Sequence, residues 1–240
     1  MRFIITAIAA TLLLCAASAE RRVAPIRPYA PLAVTLAELV ADPQLDAFRG
    51  ELAKAARSRV YATLARLTVA QGFFWDRDFA NAFDKRKPGI DNLAAALRLE
   101  HAGGAGWMTL ERLANETRVL ELESRPGVVC APAPPRFDSI ALDRLIVDTR
   151  TVAVDWAYTT APDAAVRAAP QTGAATLEIL GLHFVRVLEP SNGWTKVVTP
   201  GGVVGFVAPG VLRRLDSVRL CYAKDPAGRW QIAGIISRGD

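Results

Sequence analysis

The sequence predicts an α+β protein in which a small N-terminal helical region precedes a compact β-module that carries an extra C-terminal β-hairpin. Three observations lead there. Apolar residues recur at three- and four-residue steps between Leu45 and Leu67, the stripe of an amphipathic helix. From Val152 onward, short alternating apolar stretches are separated by turns rich in Gly, Pro and Asn, the pattern of antiparallel strands. Between them lies SRPGVVCAPAPPRFD, residues 124–138, whose prolines cannot continue a helix.

The first residues, MRFIITAIAATLLLCAASAE, combine a basic Arg2, an apolar run from Phe3 to Cys15 and the small-residue exit Ala17-Ser18-Ala19. That is the layout of a secretory signal peptide (1–19), too short to span a bilayer, and cleavage is expected after Ala19. The protein is therefore expected to be periplasmic or secreted. Cys15 raises a lipoprotein alternative, disfavoured by Leu14 where a lipid-attachment motif carries Gly, Ala or Ser. No later segment is apolar enough to span a membrane, so no stable membrane insertion is expected after cleavage. Residues 20–31, ERRVAPIRPYAP, place Pro25, Pro28 and Pro31 three apart, the polyproline II repeat of an extended segment. The same spacing motivates a sharper reading, that this segment docks on the chain's own β-module as a PxxP ligand.

Residues 32–123 read as the helical region. Leu45, Phe48, Leu52, Ala55, Ala56, Val60, Leu64 and Leu67 form the stripe of one long helix, with Asp42 as N-cap, Pro43 at the first helical position and Gly72 as the stop. GFFWDRDFANAFDKRKPG, residues 72–89, offers aromatics for a core and charges for water. Two shorter helices follow, Asp91 to Leu99 with Asp91 as N-cap, and Trp107 to Ala114, separated by HAGGAG. Residues 124–154 are a Pro-rich connector and a further helix, capped by Asp138 and carrying Ile140, Leu142, Leu145 and Ile146.

Composition narrows the chemistry. The chain has 29 basic and 24 acidic side chains, and loss of Arg2 with the leader leaves an excess of four spread along the sequence. Nucleic acid is not indicated. After cleavage two cysteines remain, Cys130 and Cys221, and in an oxidising compartment they are expected to pair. Such a bond closes a loop of about 90 residues, for which chain entropy gives roughly 4–5 kcal/mol. The alternative is a catalytic cysteine with His101 or His183 as its base. With two histidines and no ligand spacing no metal site is predicted, and no cofactor motif is present. The sequence also lacks a Ser-x-x-Lys motif and a nucleophile elbow.

The strands of the C-terminal part carry a family resemblance. Val166, Arg167 and Pro170 fit a V-R-x-x-P loop; Asn192, Gly193, Trp194, Lys196 and Val197 fit N-G-W-x-K-V; Gly205, Phe206 and Val207 fit G-[FWY]-V. In this order, over roughly residues 155–215, the chain resembles a bacterial SH3 domain (SH3b) and is similar to exported bacterial proteins that carry one. The resemblance implies a five-stranded SH3-like β-barrel that binds rather than catalyses, its ligand peptidoglycan or an envelope protein or peptide. Two departures stand out. Ala168-Ala169 replaces the family's small polar pair, and residues 216–240 add a hairpin, RLCYAKDPAGRWQIAGII, turning at Asp225-Pro226-Ala227-Gly228. Tied by Cys221 to Cys130, that hairpin is placed to cover part of the surface relatives use for binding.

The candidate ligand-binding residues are Arg167, Asn192, Trp194 and Phe206, around a groove between the Arg167 and Asn192 loops. Trp194 and Phe206 offer an aromatic platform, or else pack on the module itself. The expected function is non-catalytic recognition or scaffolding in the cell envelope, with no catalytic residue assigned. The alternative is a cell-wall hydrolase with its catalytic part in the helical region, drawing carboxylates from Glu51, Asp76, Asp78 and Glu100. Glycosidase chemistry needs two such groups about 5–10 Å apart across a sugar cleft. Trp75 and Trp107 discriminate: an open polar concavity beside them suits the enzyme, burial suits a scaffold.

Overall fold

The structure is a computed structural model that describes residues 26–76, 83–191 and 193–237. The expected signal peptide, residues 20–25, Asp78 and Asn192 lie outside the described residues.

Helix α1 (Pro43–Ser58) begins as its sequence requires. The Asp42 carboxylate accepts from the backbone N–H groups of Gln44 and Leu45 at 3.0 and 2.9 Å, and Pro43 occupies the first turn. Leu45, Phe48, Leu52, Ala55 and Ala56 are buried along one side. The stripe does not continue as one helix. Arg59 adopts a left-handed φ of 55°, its N–H closes on Ala55 and Ala56, and α2 (Tyr61–Leu67) starts afresh after Val60. A straight helix over 43–67 would be about 38 Å long, more than one small core can cover. The break lets Leu64 and Leu67 reach the same core from a new direction.

Helix α3 (Gly89–Leu97) begins after Pro88, two residues ahead of the expected start. Asp91 is thus not its cap. It lies in the first turn and accepts from Tyr61 Oη at 3.0 Å; burial first, and this bond second, push the Tyr61 hydroxyl up to about 12. Helix α4 (Ala105–Ala114) starts within HAGGAG, two residues ahead of the expected Trp107, and buries Trp107, Leu110 and Leu113. Helix α5 (Ser139–Thr149) is capped as expected, Asp138 accepting from Ala141 N–H at 3.0 Å. Leu142 and Leu145 are buried, whereas Ile140 is exposed. Among the described residues no helix is long and apolar enough to cross a membrane.

The strands are β1 (Phe74–Trp75), β2 (Leu120–Glu121), β3 (Val129–Ala131), β4 (Trp156–Thr159), β5 (Ala164–Arg167), β6 (Thr176–Leu180), β7 (Phe184–Ser191), β8 (Trp194–Val198), β9 (Val204–Val207), β10 (Leu212–Arg214), β11 (Arg219–Lys224) and β12 (Trp230–Ile236). They form two sheets, of order β1-β12-β11-β3-β2 and β10-β4-β7-β8-β9-β5-β6.

The seven-stranded sheet holds the region expected to be a closed five-stranded barrel. Its strands pair instead as an open antiparallel row, with no pairing between end strands β6 and β10 among the described residues. Two stretches account for the extra strands. Residues 156–159 insert between β10 and β7, and the loop after Arg167 folds back on β5 as β6, leaving Leu177 and Ile179 exposed at the edge. Gly193 and Gly202 take φ of 80° and 82°, which the two hairpin turns there demand.

The C-terminal hairpin is not an extension of this module. Strand β11 lies between β12 and β3, inside the sheet that the N-terminal helices cover. Leu220, Tyr222, Ile232 and Ile235 are fully buried in one core with Leu52, Leu64, Leu93 and Leu110. Burying each of these leucine and isoleucine side chains contributes about 1.5–3 kcal/mol. The opposite face packs Leu122, Cys130, Cys221 and Ile236. A strand buried on both faces needs cover on both, which the module's solvent side does not supply. Cys130 and Cys221 sit directly opposite one another on β3 and β11 and are bonded, 91 residues apart in sequence. The reading of either as a free nucleophile is thereby corrected, and the disulfide is compatible with an extracytoplasmic protein.

The N-terminal segment makes the reciprocal journey. Tyr29 N–H donates to Pro200 O at 2.9 Å, Phe184 N–H to Leu32 O at 2.9 Å and Val34 N–H to Leu182 O at 3.0 Å. Tyr29 Oη donates to Val198 O at 2.8 Å and its ring meets Trp156 edge-on at 5.0 Å. Strand β8 leaves β7 at Arg186, and this segment takes the vacant place beside residues 182–184. Among the described residues this segment therefore docks on the chain's own module through backbone pairing and Tyr29, while Pro25 of the PxxP reading lies outside them. Replacing Cys130 and Cys221 together by serine is expected to lower the free energy of unfolding by roughly 2–5 kcal/mol, read as a drop in denaturant midpoint at unchanged slope.

Candidate functional site

Strand register assembles the sequence-selected residues. Arg167 on β5 stands opposite Phe206 on β9, Phe206 opposite Lys196 on β8, and Lys196 opposite Glu189 on β7. Directly paired residues share a face, so these four side chains form one row across four strands. Trp194 lies two residues before Lys196 and so joins the same face, beside the β7–β8 turn. The other face is apolar: Val166, Leu180, Val185, Val197 and Val207 are buried together.

Close approach of the strands makes this row possible. A Cβ at Gly205 would meet Val166 Cγ1 at 2.5 Å and Arg167 O at 2.8 Å, so only glycine lets β9 press against β5. Arg167 Nη1 donates to Ala174 O at 2.8 Å, and Ala168 N–H to Ala175 O at 2.9 Å. The guanidinium thus braces its own loop and remains half-buried. Lys196 Nζ lies 3.5 Å from Glu189 Oε1, an ion pair open to water and worth little stability. Trp194 and Phe206 are half-buried, neither sealed in the core nor freely exposed. Three of the four expected residues are therefore brought together, while Asn192 lies outside the described residues. Lys196, central in the row, fits the N-G-W-x-K-V spacing and was not singled out as a ligand residue.

Among the described residues, the carboxylates considered for hydrolysis, Glu51, Asp76 and Glu100, share no cavity, while Asp78 lies outside them. Asp76 accepts from the Ser237 hydroxyl at 2.9 Å and from its backbone N–H. Glu51 lines a cavity of about 580 Å³ beside Arg66 and Trp230, to which neither Asp76 nor Glu100 contributes. Trp107 is buried, 8 % exposed, and Trp75 stacks on Phe83 with centroids 4.5 Å apart. Trp107 thus serves packing, whereas Trp75 is half-buried and also lines a concavity of about 450 Å³ with Asp76, Lys85 and Arg125. Among the described residues no three His, Cys, Asp or Glu side chains are grouped to hold a metal ion.

His183 has a different place, at the bridge to Ala33 where the N-terminal segment docks. Its Nε2 is buried with no hydrogen-bond partner among the described residues. Burial pushes the imidazole below its ordinary 6.5, with Glu178 opposing.

The chain matches no family model, no curated protein and no solved structure.

Two outcomes follow from this geometry. Gly205→Ala is expected to destabilise the protein by roughly 1–3 kcal/mol through overpacking of β9 on β5, measurable by chemical denaturation. The neutral form of His183 is favoured in the fold, so its contribution is fully present above the ordinary value of 6.5 and is lost as pH falls toward the lower folded value. Thermal melts of His183→Gln between pH 5 and 7, ordinary limits around that titration, should show a shallower acid-side decline than the unsubstituted chain.

Proposed function

We propose that this protein is a non-catalytic recognition or scaffold component of the cell envelope, periplasmic or secreted, whose seven-stranded module is of the SH3b type. Its ligand is peptidoglycan or an envelope peptide, bound on the Arg167–Phe206–Lys196 row with Trp194 at its end. The observation that carries this reading is the row itself, in which motif residues from three strands converge on one outward face while the reverse face is sealed. The chemistry suits such a ligand. Half-exposed aromatic rings stack on sugar rings or peptide groups, and cations beside them pair with carboxylates. The leader-like N-terminus and the buried disulfide support export.

Co-sedimentation with purified sacculi tests it. The unsubstituted protein should pellet with the polymer and release no soluble muropeptides. Trp194→Ala and Arg167→Ala should each weaken binding roughly tenfold, about 1–2 kcal/mol for a residue at the centre of a contact. Solubilised fragments would instead establish the hydrolase, and equal pelleting of both variants would remove the row as the binding face.

A further inference from the structure

A second concavity lies at the junction of the two units, between α4 with the chain after it and strands β4 and β10. Its volume is about 620 Å³, within the range of small-molecule sites, and such sites favour unit interfaces. Four guanidinium groups line it, Arg112, Arg118, Arg213 and Arg214, against one carboxylate, Glu116. None belongs to the Arg167 row. A smaller concavity of about 330 Å³ shares Tyr158, Arg213 and Arg214 and adds Arg219.

The single carboxylate is already engaged. Glu116 Oε1 accepts from Arg213 Nη2 at 2.5 Å, a pair with side chains only 14–15 % exposed. Arg118 Nη1 donates to Ala37 O, and Arg214 donates to Val154 O and, at 3.3 Å, to Asp216 Oδ1. Arg112 is held differently. It reaches Glu116 only at 3.9 Å, beyond hydrogen-bond range, and its side chain is 49 % exposed. Partial burial disfavours its charge; Glu116 offsets this and neighbouring Arg213 adds to it. Arg112 is thus a half-exposed cation beside a second cation, in loose ion-pair contact with a carboxylate whose close hydrogen bond goes to Arg213.

We propose that this junction binds a small oxyanion, a carboxylate- or phosphate-bearing molecule that gives Arg112 the direct hydrogen-bonded counter-charge which Glu116, at 3.9 Å, does not. The planar guanidinium fork suits either group, since both accept two parallel N–H bonds. Tyr158, whose hydroxyl burial pushes up to about 12, stays protonated on the cavity wall as a neutral neighbour. The site is independent of the proposed recognition face and would stand without it.

The test is an NMR titration of the arginine Nε–Hε resonances of the purified chain with inorganic phosphate, with glutarate and with chloride, at constant ionic strength. Saturable shifts at Arg112 and Arg213 with phosphate or glutarate, but not with chloride, are expected. Response to phosphate alone marks a phosphate site, and response to glutarate marks a carboxylate site. Arg112→Gln should weaken binding at least fivefold with the ligand-free melting temperature unchanged, whereas Arg167→Gln should leave it intact. Shifts that are absent, or that grow linearly across all surface arginines, would overturn the proposal. So would unchanged affinity in Arg112→Gln; the unsubstituted titration decides the matter even if that variant folds poorly.

Discussion

The antiparallel contact between β3 and β11, closed by Cys130–Cys221, is the constraint on which the remaining architecture depends. It brings the end of the chain into the middle of the sheet that the N-terminal helices cover. Without β11 and β12, the buried sides of α1, α3 and α4 would lack Leu220, Tyr222, Ile232 and Ile235, and the aromatic contact of Phe48 with Tyr222 at 5.9 Å would be lost. The disulfide adds little contact area of its own. Its effect is to limit the freedom of the unfolded chain, which raises the relative stability of the state in which those side chains meet.

The same principle of borrowed parts operates at the other end. Residues 29–34 leave the helical unit and complete the hydrogen bonding of the β-module beside β7, with Leu32 and Val34 buried against Trp156 and Phe184. Each unit thus holds a piece of chain from the far side of the other. The module's outward row stays clear of both exchanges, because the hairpin that was expected to shade it lies in the other sheet. The arginine-lined junction joins distant parts of the chain, since α4 and β10 lie about a hundred residues apart in sequence and both line it.

Local chemistry was legible in the sequence and destination was not. Asp42 and Asp138 cap their helices because a side-chain acceptor ahead of an apolar stripe has few other roles, and Gly193 and Gly202 turn hairpins because positive φ is cheap only for glycine. Val166, Arg167, Trp194 and Phe206 lie on strands in the expected order. The break at Arg59 was hidden, since a left-handed arginine leaves no mark in a periodic pattern that continues through it. The place of the hairpin had a signal that went unused: Ile232 to Ile236 is a continuous apolar run, and such runs belong to strands covered on both faces. The Arg112 cluster had none, because its members come from separate elements.

Interleaving of the termini sets the order in which the molecule can be completed. A polypeptide emerging from its N-terminal side presents helices whose apolar floor, Arg219 to Ile236, is made about a hundred residues after α4. Those helices must wait, unfinished, until that hairpin arrives, and their closing step is long-range and therefore slow. Loss of β12 would in turn be felt at helices made more than a hundred residues earlier, which makes the late hairpin a seal of quality on the whole helical unit.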